Sequence, residues 1–223
     1  MRGNKVVMSP YYLESVQQGA EFQKNNKSWA GYDVVKYQTK IKDLVVRYRA
    51  KTILDYGCGK GLQYKEPLPY ASEDNWQTFD EYLGVTVYKY DPCVPEHFTL
   101  PPVGTKFDGV ICTQVLNSIP DDDMPWVRDL LEGYATKFCF VGVNFQQEAK
   151  GKKTMYNPEY FKLPRTRQFF RSYFTDWKGS DLFWWWKDRL HYPAWIDDQL
   201  NGTWMDVPDT FEGKYQYIEV NHR

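Results

Sequence analysis

The residues best suited to chemistry lie in one short string, Leu54-Asp55-Tyr56-Gly57-Cys58-Gly59-Lys60-Gly61. An acid is followed by glycines at alternate positions, in the pattern D-x-G-x-G-x-G. Glycine suits a turn that must be tight and must let a ligand approach backbone N–H groups with no Cβ between them. The acid adds a carboxylate at the same place. Position 62 is Leu62, so the dinucleotide spacing G-x-G-x-x-G is not met. The Gly59-Lys60-Gly61 step lacks the Ser or Thr that follows lysine in a triphosphate loop. The competing use of these glycines is a plain turn from strand to helix.

A second acid, Asp91, precedes Pro92 at the end of another apolar run, where a carboxylate can accept hydrogen bonds from both hydroxyls of a ribose. The alternative is that Asp91-Pro92 only ends a strand as a turn. Thr113, Gln114 and Val115 close a third run, and the first two are read either as pocket residues or as simple strand-end polarity. Three consecutive acids, Asp121–Asp123, fit a solvated helix start better than a metal site. His97 and His191 are candidate bases. Residues 150–174 interleave Lys150, Lys152, Lys153, Lys162, Arg165, Arg167 and Arg171 with seven Tyr or Phe residues. That mixture suits an anionic or nucleotide-like partner, or else a solvated helix whose aromatics enter the core.

The elements that must hold these residues can be read from periodicity. Four short apolar runs, 52–56, 85–91, 107–113 and 138–143, are the expected buried strands. Residues 32–48 carry apolar side chains at helical spacing, with Asp33 as a candidate cap. Residues 121–132 begin with acids and Pro125 and continue as an apolar stripe, which predicts a helix. Strands alternating with helices imply βαβ units and a parallel sheet. Residues 67–84 look like an insertion. Only positions 92–106 separate the second strand from the third, so a helix–strand unit there is shortened, with 97–100 as its remnant. One or two helices are expected in 180–200, around Pro193, and a terminal strand over 215–220.

Composition narrows the class. With 28 basic and 29 acidic residues, the net charge of −1 disfavours a nonspecific nucleic-acid coat. No apolar run approaches the roughly 20 residues of a membrane span, and the first residues lack the apolar stretch of a secretory signal, so a cytoplasmic protein is expected. Cys58, Cys93, Cys112 and Cys139 form no CxxC pair and only 3 histidines exist, so no metal site is expected. Cys112 and Cys139 read as core residues. Aromatics are in excess, with 9 Trp, 18 Tyr and 13 Phe. Trp184-Trp185-Trp186, with Trp177, Trp195 and Trp204, could wall a pocket or a partner-binding face.

The string 54–64, LDYGCGKGLQY, and the run 107–116, FDGVICTQVL, resemble the class I S-adenosylmethionine-dependent methyltransferases, in particular a subgroup found in bacteria and their phages. The likeness spans about residues 29–145. It implies an α/β, Rossmann-like, mostly parallel sheet flanked by helices, with an aromatic-rich C-terminal elaboration. The chain then reads as a single domain, with 1–50 a helical cap, 51–145 the cofactor-binding core and 146–223 the acceptor side. The implied cofactor is S-adenosyl-L-methionine. Asp55 would meet its ammonium end, the backbone of Gly57, Cys58, Gly59 and Gly61 would cradle the same part, and Asp91 would hold its ribose, with Pro92, Thr113, Gln114 and Val115 beside it. Trp29 and Tyr37 are candidate lid residues.

The implied acceptor is a small molecule, possibly anionic, methylated by in-line transfer. The family's acid–histidine pair after the fourth-strand Val-Leu is Asn117-Ser118 in this chain, so no base is assigned there. Asn157-Pro158-Glu159-Tyr160 and Pro92-Cys93 partly match nucleic-acid methylation motifs but follow the wrong elements. The rival readings are another enzyme using the same cofactor, and a non-catalytic binding or interaction protein on this fold.

Overall fold

The computed structural model describes residues 9–25, 29–68, 77–102, 104–143, 165, 167–175, 177–180 and 184–188. Its centre is a sheet of β1 (Thr52–Tyr56), β2 (Thr86–Tyr90), β3 (Phe107–Thr113), β4 (Ala135–Gly142), β5 (Lys178–Ser180) and β6 (Trp184–Asp188), in the order β2-β1-β3-β4-β6-β5. The first four in that order pair parallel, and β6 and β5 add antiparallel beyond β4.

Strands β1, β3 and β4 are interior and covered on both faces, which is why each reads as a nearly unbroken apolar run. On one face α2 (Gln38–Arg47) and α3 (Phe79–Leu83) pack on Ile53, Ile111, Phe138 and Phe140. On the other, α1 (Pro10–Asn25), α4 (Met124–Tyr134) and α5 (Arg167–Tyr173) pack on Leu54, Tyr56, Val110, Cys112, Cys139 and Val141. This is a Rossmann-like sheet in the doubly wound order, without a strand beyond β2 among the described residues. Cys112 and Cys139 are core residues, as expected.

The expected elements shift in instructive ways. Residues 32–48 are not one helix. A 3-10 turn, Tyr32–Tyr37, precedes α2, and it starts after Gly31 at φ 107°, with no side-chain cap. Asp33 does not cap it and instead pairs with Lys36 at 2.5 Å. The turn lets Tyr37 set its ring edge-on to Phe140, 5.5 Å between centroids. The acids at 121–123 likewise form a 3-10 turn before α4. The supposed insertion at 67–84 contains α3, started by a capping box between Thr78 and Glu81. Residues 97–100 form no strand or helix, and the described residues between β2 and β3 form turns and irregular chain. The Trp184–Asp188 segment is strand rather than helix, because its backbone bonds to β4. The rest of 180–200, and 215–220, lie outside the described residues.

Candidate functional site

A cleft opens at the carboxyl ends of β1, β2 and β3. Nine of the ten residues nominated from the sequence to bind the cofactor line it: Asp55, Gly57, Cys58, Gly59, Asp91, Pro92, Thr113, Gln114 and Val115. Gly61 is not among them. It stands behind the loop, where a Cβ would lie 2.9 Å from His97 Nε2 and 3.5 Å from Lys89 Cδ.

The turn after β1 is built by close approach. The N–H groups of Gly57 and Cys58 both donate to Tyr90 O, at 2.6 and 3.1 Å, tying the turn to the end of β2. Gly59 takes φ 60°, and a Cβ there would sit 2.3 Å from Trp29 O. Residues 29–31 form a strap laid along the loop, with Lys60 N donating to Trp29 O (2.8 Å) and Leu62 N to Ala30 O (2.9 Å). The glycine spacing therefore serves contacts inside the chain, and the N–H groups expected to face a ligand are taken up there, Gly59 N by Asp91 Oδ2 and Gly61 N by Cys58 O (3.3 Å).

Asp55 is 1% exposed. Its Oδ2 accepts from the Tyr64 hydroxyl at 2.7 Å and from Gln63 Nε2 at 3.3 Å, while Oδ1 is buried with no hydrogen-bond partner. Burial pushes its pKa up from 3.8 to about 7, the Tyr64 and Gln63 hydrogen bonds opposing and the Asp91 charge assisting. Asp91 accepts from Gly59 N through Oδ2 and from Cys93 N through Oδ1, both at 2.9 Å. Burial raises its pKa, against those two N–H groups and nearby His97. Two carboxylates thus sit in one recess, a setting that favours a cationic group and hydroxyl donors. Burial pushes the Cys93 thiol up to about 12, and it raises the Cys58 thiol and the Tyr12 hydroxyl further still. All three stay protonated near neutrality and are poor nucleophiles or bases.

Gln114 carries the left-handed φ of 62° at the end of β3. Its N–H donates to Gly142 O at 2.7 Å and its Nε2 donates to the Tyr37 hydroxyl at 2.8 Å. A non-glycine residue held this way is strained, and strain of this kind collects at working sites. Tyr37 is buried beneath Gln114 and does not line the cleft, so it is a prop rather than a lid; Trp29 does line it.

Helix α1 crosses the mouth and contributes Tyr12, Ser15 and Val16. Near its start, Asp123 accepts from Ser9 N (3.0 Å), Ser9 Oγ (2.5 Å) and Trp126 Nε1 (2.7 Å), so this acid of the 121–123 run is not solvated. Near its end, the Phe22 and Trp29 rings meet at 5.4 Å, and a Cβ on Gly19 would lie 2.7 Å from Cys93 Sγ. From the basic stretch, Arg165 is buried. Its Nη1 donates to Leu116 O at 2.6 Å, Nη2 donates to Ile119 O and, at 2.5 Å, to Asp121 Oδ1, and the guanidinium covers the Phe169 ring. Its charge holds the turn bearing Ser118 and Ile119, two further lining residues, rather than facing a partner.

Tyr12, Ser15, Val16, Gly31, Asp33, Cys93, Ser118 and Ile119 are lining residues that the sequence reading missed. The spacing of Tyr12, Ser15, Val16 and Gly19 is helical, but no local pattern says which strand ends a helix crosses. His97 lies behind the glycine loop, and His191 and residues 157–160 lie outside the described residues.

No family model and no curated protein matches the chain. Solved structures similar to it include magnesium protoporphyrin IX methyltransferase from Synechocystis with bound SAH, at 12% identity and TM-score 0.44, covering 78% of this chain and 84% of that one. Human N-acetylserotonin methyltransferase in complex with SAM aligns at 12% identity and TM-score 0.43, covering 78% and 55%. The DhpI–SAH complex aligns at 13% and 0.43, covering 80% and 96%.

Proposed function

We propose that this chain is a class I S-adenosylmethionine-dependent methyltransferase acting on a small acceptor. The observation that carries this reading is the pairing of Asp55, buried with one oxygen unpartnered, with Asp91, whose carboxylate is held by the glycine loop's own N–H. The unpartnered Oδ1 fits an ammonium group, and the fixed Asp91 carboxylate keeps acceptor capacity for ribose hydroxyls. Bound there, the cofactor supplies a methyl group already activated by a sulfonium centre.

The chain's contribution is binding, alignment and exclusion of water. Asp55 balances the cofactor's positive charge. Gly57 and Gly59 line the cleft and give the loop room to pack against Val115 and Trp29. Helix α1 and Trp29 cover the mouth, and Thr113, Gln114 and Ser118 place polar groups along the β3 side. An acceptor atom that is nucleophilic by itself needs no dedicated base, and no base is assigned. The motif string 54–64 supports the bacterial and phage subgroup, and the reading includes a cytoplasmic setting and a single domain whose acceptor side is residues 146–223.

Calorimetry with S-adenosylhomocysteine, followed by transfer of labelled methyl from S-adenosylmethionine into a small-molecule extract, tests this. Binding with a labelled product is the expected outcome. No affinity for either nucleoside would end the proposal. Asn117-Ser118, where the family has an acid–histidine pair, favours the rival of a non-catalytic binding protein. Binding without turnover would indicate a non-catalytic protein, and cofactor breakdown without a methylated product another cofactor-using enzyme.

A further inference from the structure

Gln63 and Tyr64 close the string 54–64 and do not line the cleft. Gly61, at φ 66°, starts the 3-10 turn Leu62–Tyr64, with Tyr64 N donating to Gly61 O at 3.1 Å. The turn brings two consecutive side chains back to one carboxylate, that of Asp55 at the end of β1. The Tyr64 hydroxyl donates to Oδ2 at 2.7 Å, and Gln63 Nε2 donates to the same oxygen at 3.3 Å. Gln63 Nε2 also donates to Cys58 O at 3.3 Å. Those two acceptors fix which way round the amide stands, since the reverse would set Oε1 against two oxygens. Gln63 is 0% exposed and Tyr64 9% exposed, so water competes little for either donor.

We propose that Gln63 and Tyr64 are positioning residues: through Oδ2 they keep the Asp55 carboxylate ionised and turned so that Oδ1 is the oxygen offered to a cation in the cleft. This role rests on the reading that Oδ1 meets the cofactor's ammonium group. Burial by itself favours the neutral acid, whereas a hydrogen bond donated to the charged form favours the carboxylate. In a dry recess that bond is stronger than it would be in water. Packing does not call for the hydroxyl. The Tyr64 ring tilts against Phe79, 6.0 Å between centroids, and lies 5.8 Å from Lys89 Nζ. A phenylalanine ring would make both contacts.

Other titratable and charged groups bear on Asp55 from each neighbouring element. Asp91, at the end of β2, opposes its ionisation, and His97 stands near Asp91. Lys89 is the β2 register partner of Asp55. Cys58 in the loop and Cys112 on β3 are thiols that burial keeps protonated. Asp33 lines the cleft from the Tyr32–Tyr37 turn. A substitution at position 64 leaves all of these in place, so a difference between parent and variant titrations belongs to the Tyr64 hydroxyl.

Titration of the cofactor-free chain, followed through the carboxyl carbon signals of isotope-labelled aspartate, tests this role, with Asp55→Asn identifying the signal. Tyr64→Phe should raise the Asp55 midpoint by about one pH unit. Gln63→Met should raise it less, because its hydrogen bond is longer. Calorimetry with S-adenosylhomocysteine should show the same change at the ligand. Tyr64→Phe should weaken binding ~tenfold at pH 6 and less than about twofold at pH 8.5, since the ionised fraction of Asp55 recovers as pH rises. A tyrosine that only packs would cost the same factor at every pH. Unchanged far-UV circular dichroism checks folding, and should Tyr64→Phe not fold, Gln63→Met carries both measurements. An Asp55 midpoint that neither substitution moves, or a loss of affinity that is constant from pH 6 to 8.5, would overturn the proposal. The titration needs no cofactor, so a parent chain with no affinity for S-adenosylhomocysteine would end the methyltransferase reading, while the titration still decides whether Tyr64 and Gln63 hold Asp55 ionised.

Discussion

At the scale of single residues, Asp55 is the group whose environment says most. Its pKa is raised on folding, so the folded chain holds that proton more tightly than the unfolded one. Its contribution to stability is complete below pH 3.8 and is lost as pH rises through about 7. Asp55→Asn should flatten that loss, seen as a smaller fall in melting temperature between pH 5 and 8 than the parent shows. Ligand binding should run the other way. An ammonium group needs the ionised carboxylate, so S-adenosylhomocysteine binding should release a proton and tighten as pH rises through about 7. Calorimetry in two buffers of different ionisation enthalpy would read that proton, and an equal heat in both would argue against Asp55 as the contact. Asp91→Ala should weaken the same ligand at least ~tenfold, roughly 1.4 kcal/mol; unchanged affinity would remove Asp91 from the site.

At the scale of elements, the glycine loop and the strap of residues 29–31 act as one piece. Gly59→Ala places a Cβ against Trp29 O, 2.3 Å away, in a backbone conformation that L-residues resist. The expected cost is about 2 kcal/mol or more, measurable by urea denaturation. A silent substitution would mean that strap and loop are not in contact. Helix α1 is moored at its start by Asp123. Asp123→Ala removes three hydrogen bonds and should weaken that docking by roughly 2 kcal/mol or more. Hydrogen exchange should then quicken over residues 10–25 while β3 stays protected. Equal loss of protection in both would show that Asp123 supports the whole fold instead.

Across the whole molecule, Arg165 joins the C-terminal part of the chain to the cleft. Arg165→Met should leave the carbonyls of Leu116 and Ile119 without their donor, costing about 2–3 kcal/mol. Free guanidinium at millimolar levels should restore part of the lost thermal stability, whereas urea at the same concentration should not. Absence of any such rescue would count against a specific clamp. This residue shows how far a sequence can be read. In 150–174 it is one basic residue among seven, and nothing in its neighbours separates a cation that meets a ligand from one that ties down a turn.

The glycine spacing, the strand-end acids and the four parallel strands were legible in the chain itself, because each depends on residues a few positions apart: burial on both faces makes a continuous apolar run, and a tight turn demands glycine. What covers the cleft was not. Tyr12 and Asp33 became neighbours of the β1 and β3 ends only through packing between distant segments, and the 3-10 turn at Tyr32–Tyr37 sets Tyr37 against both Phe140 and Gln114.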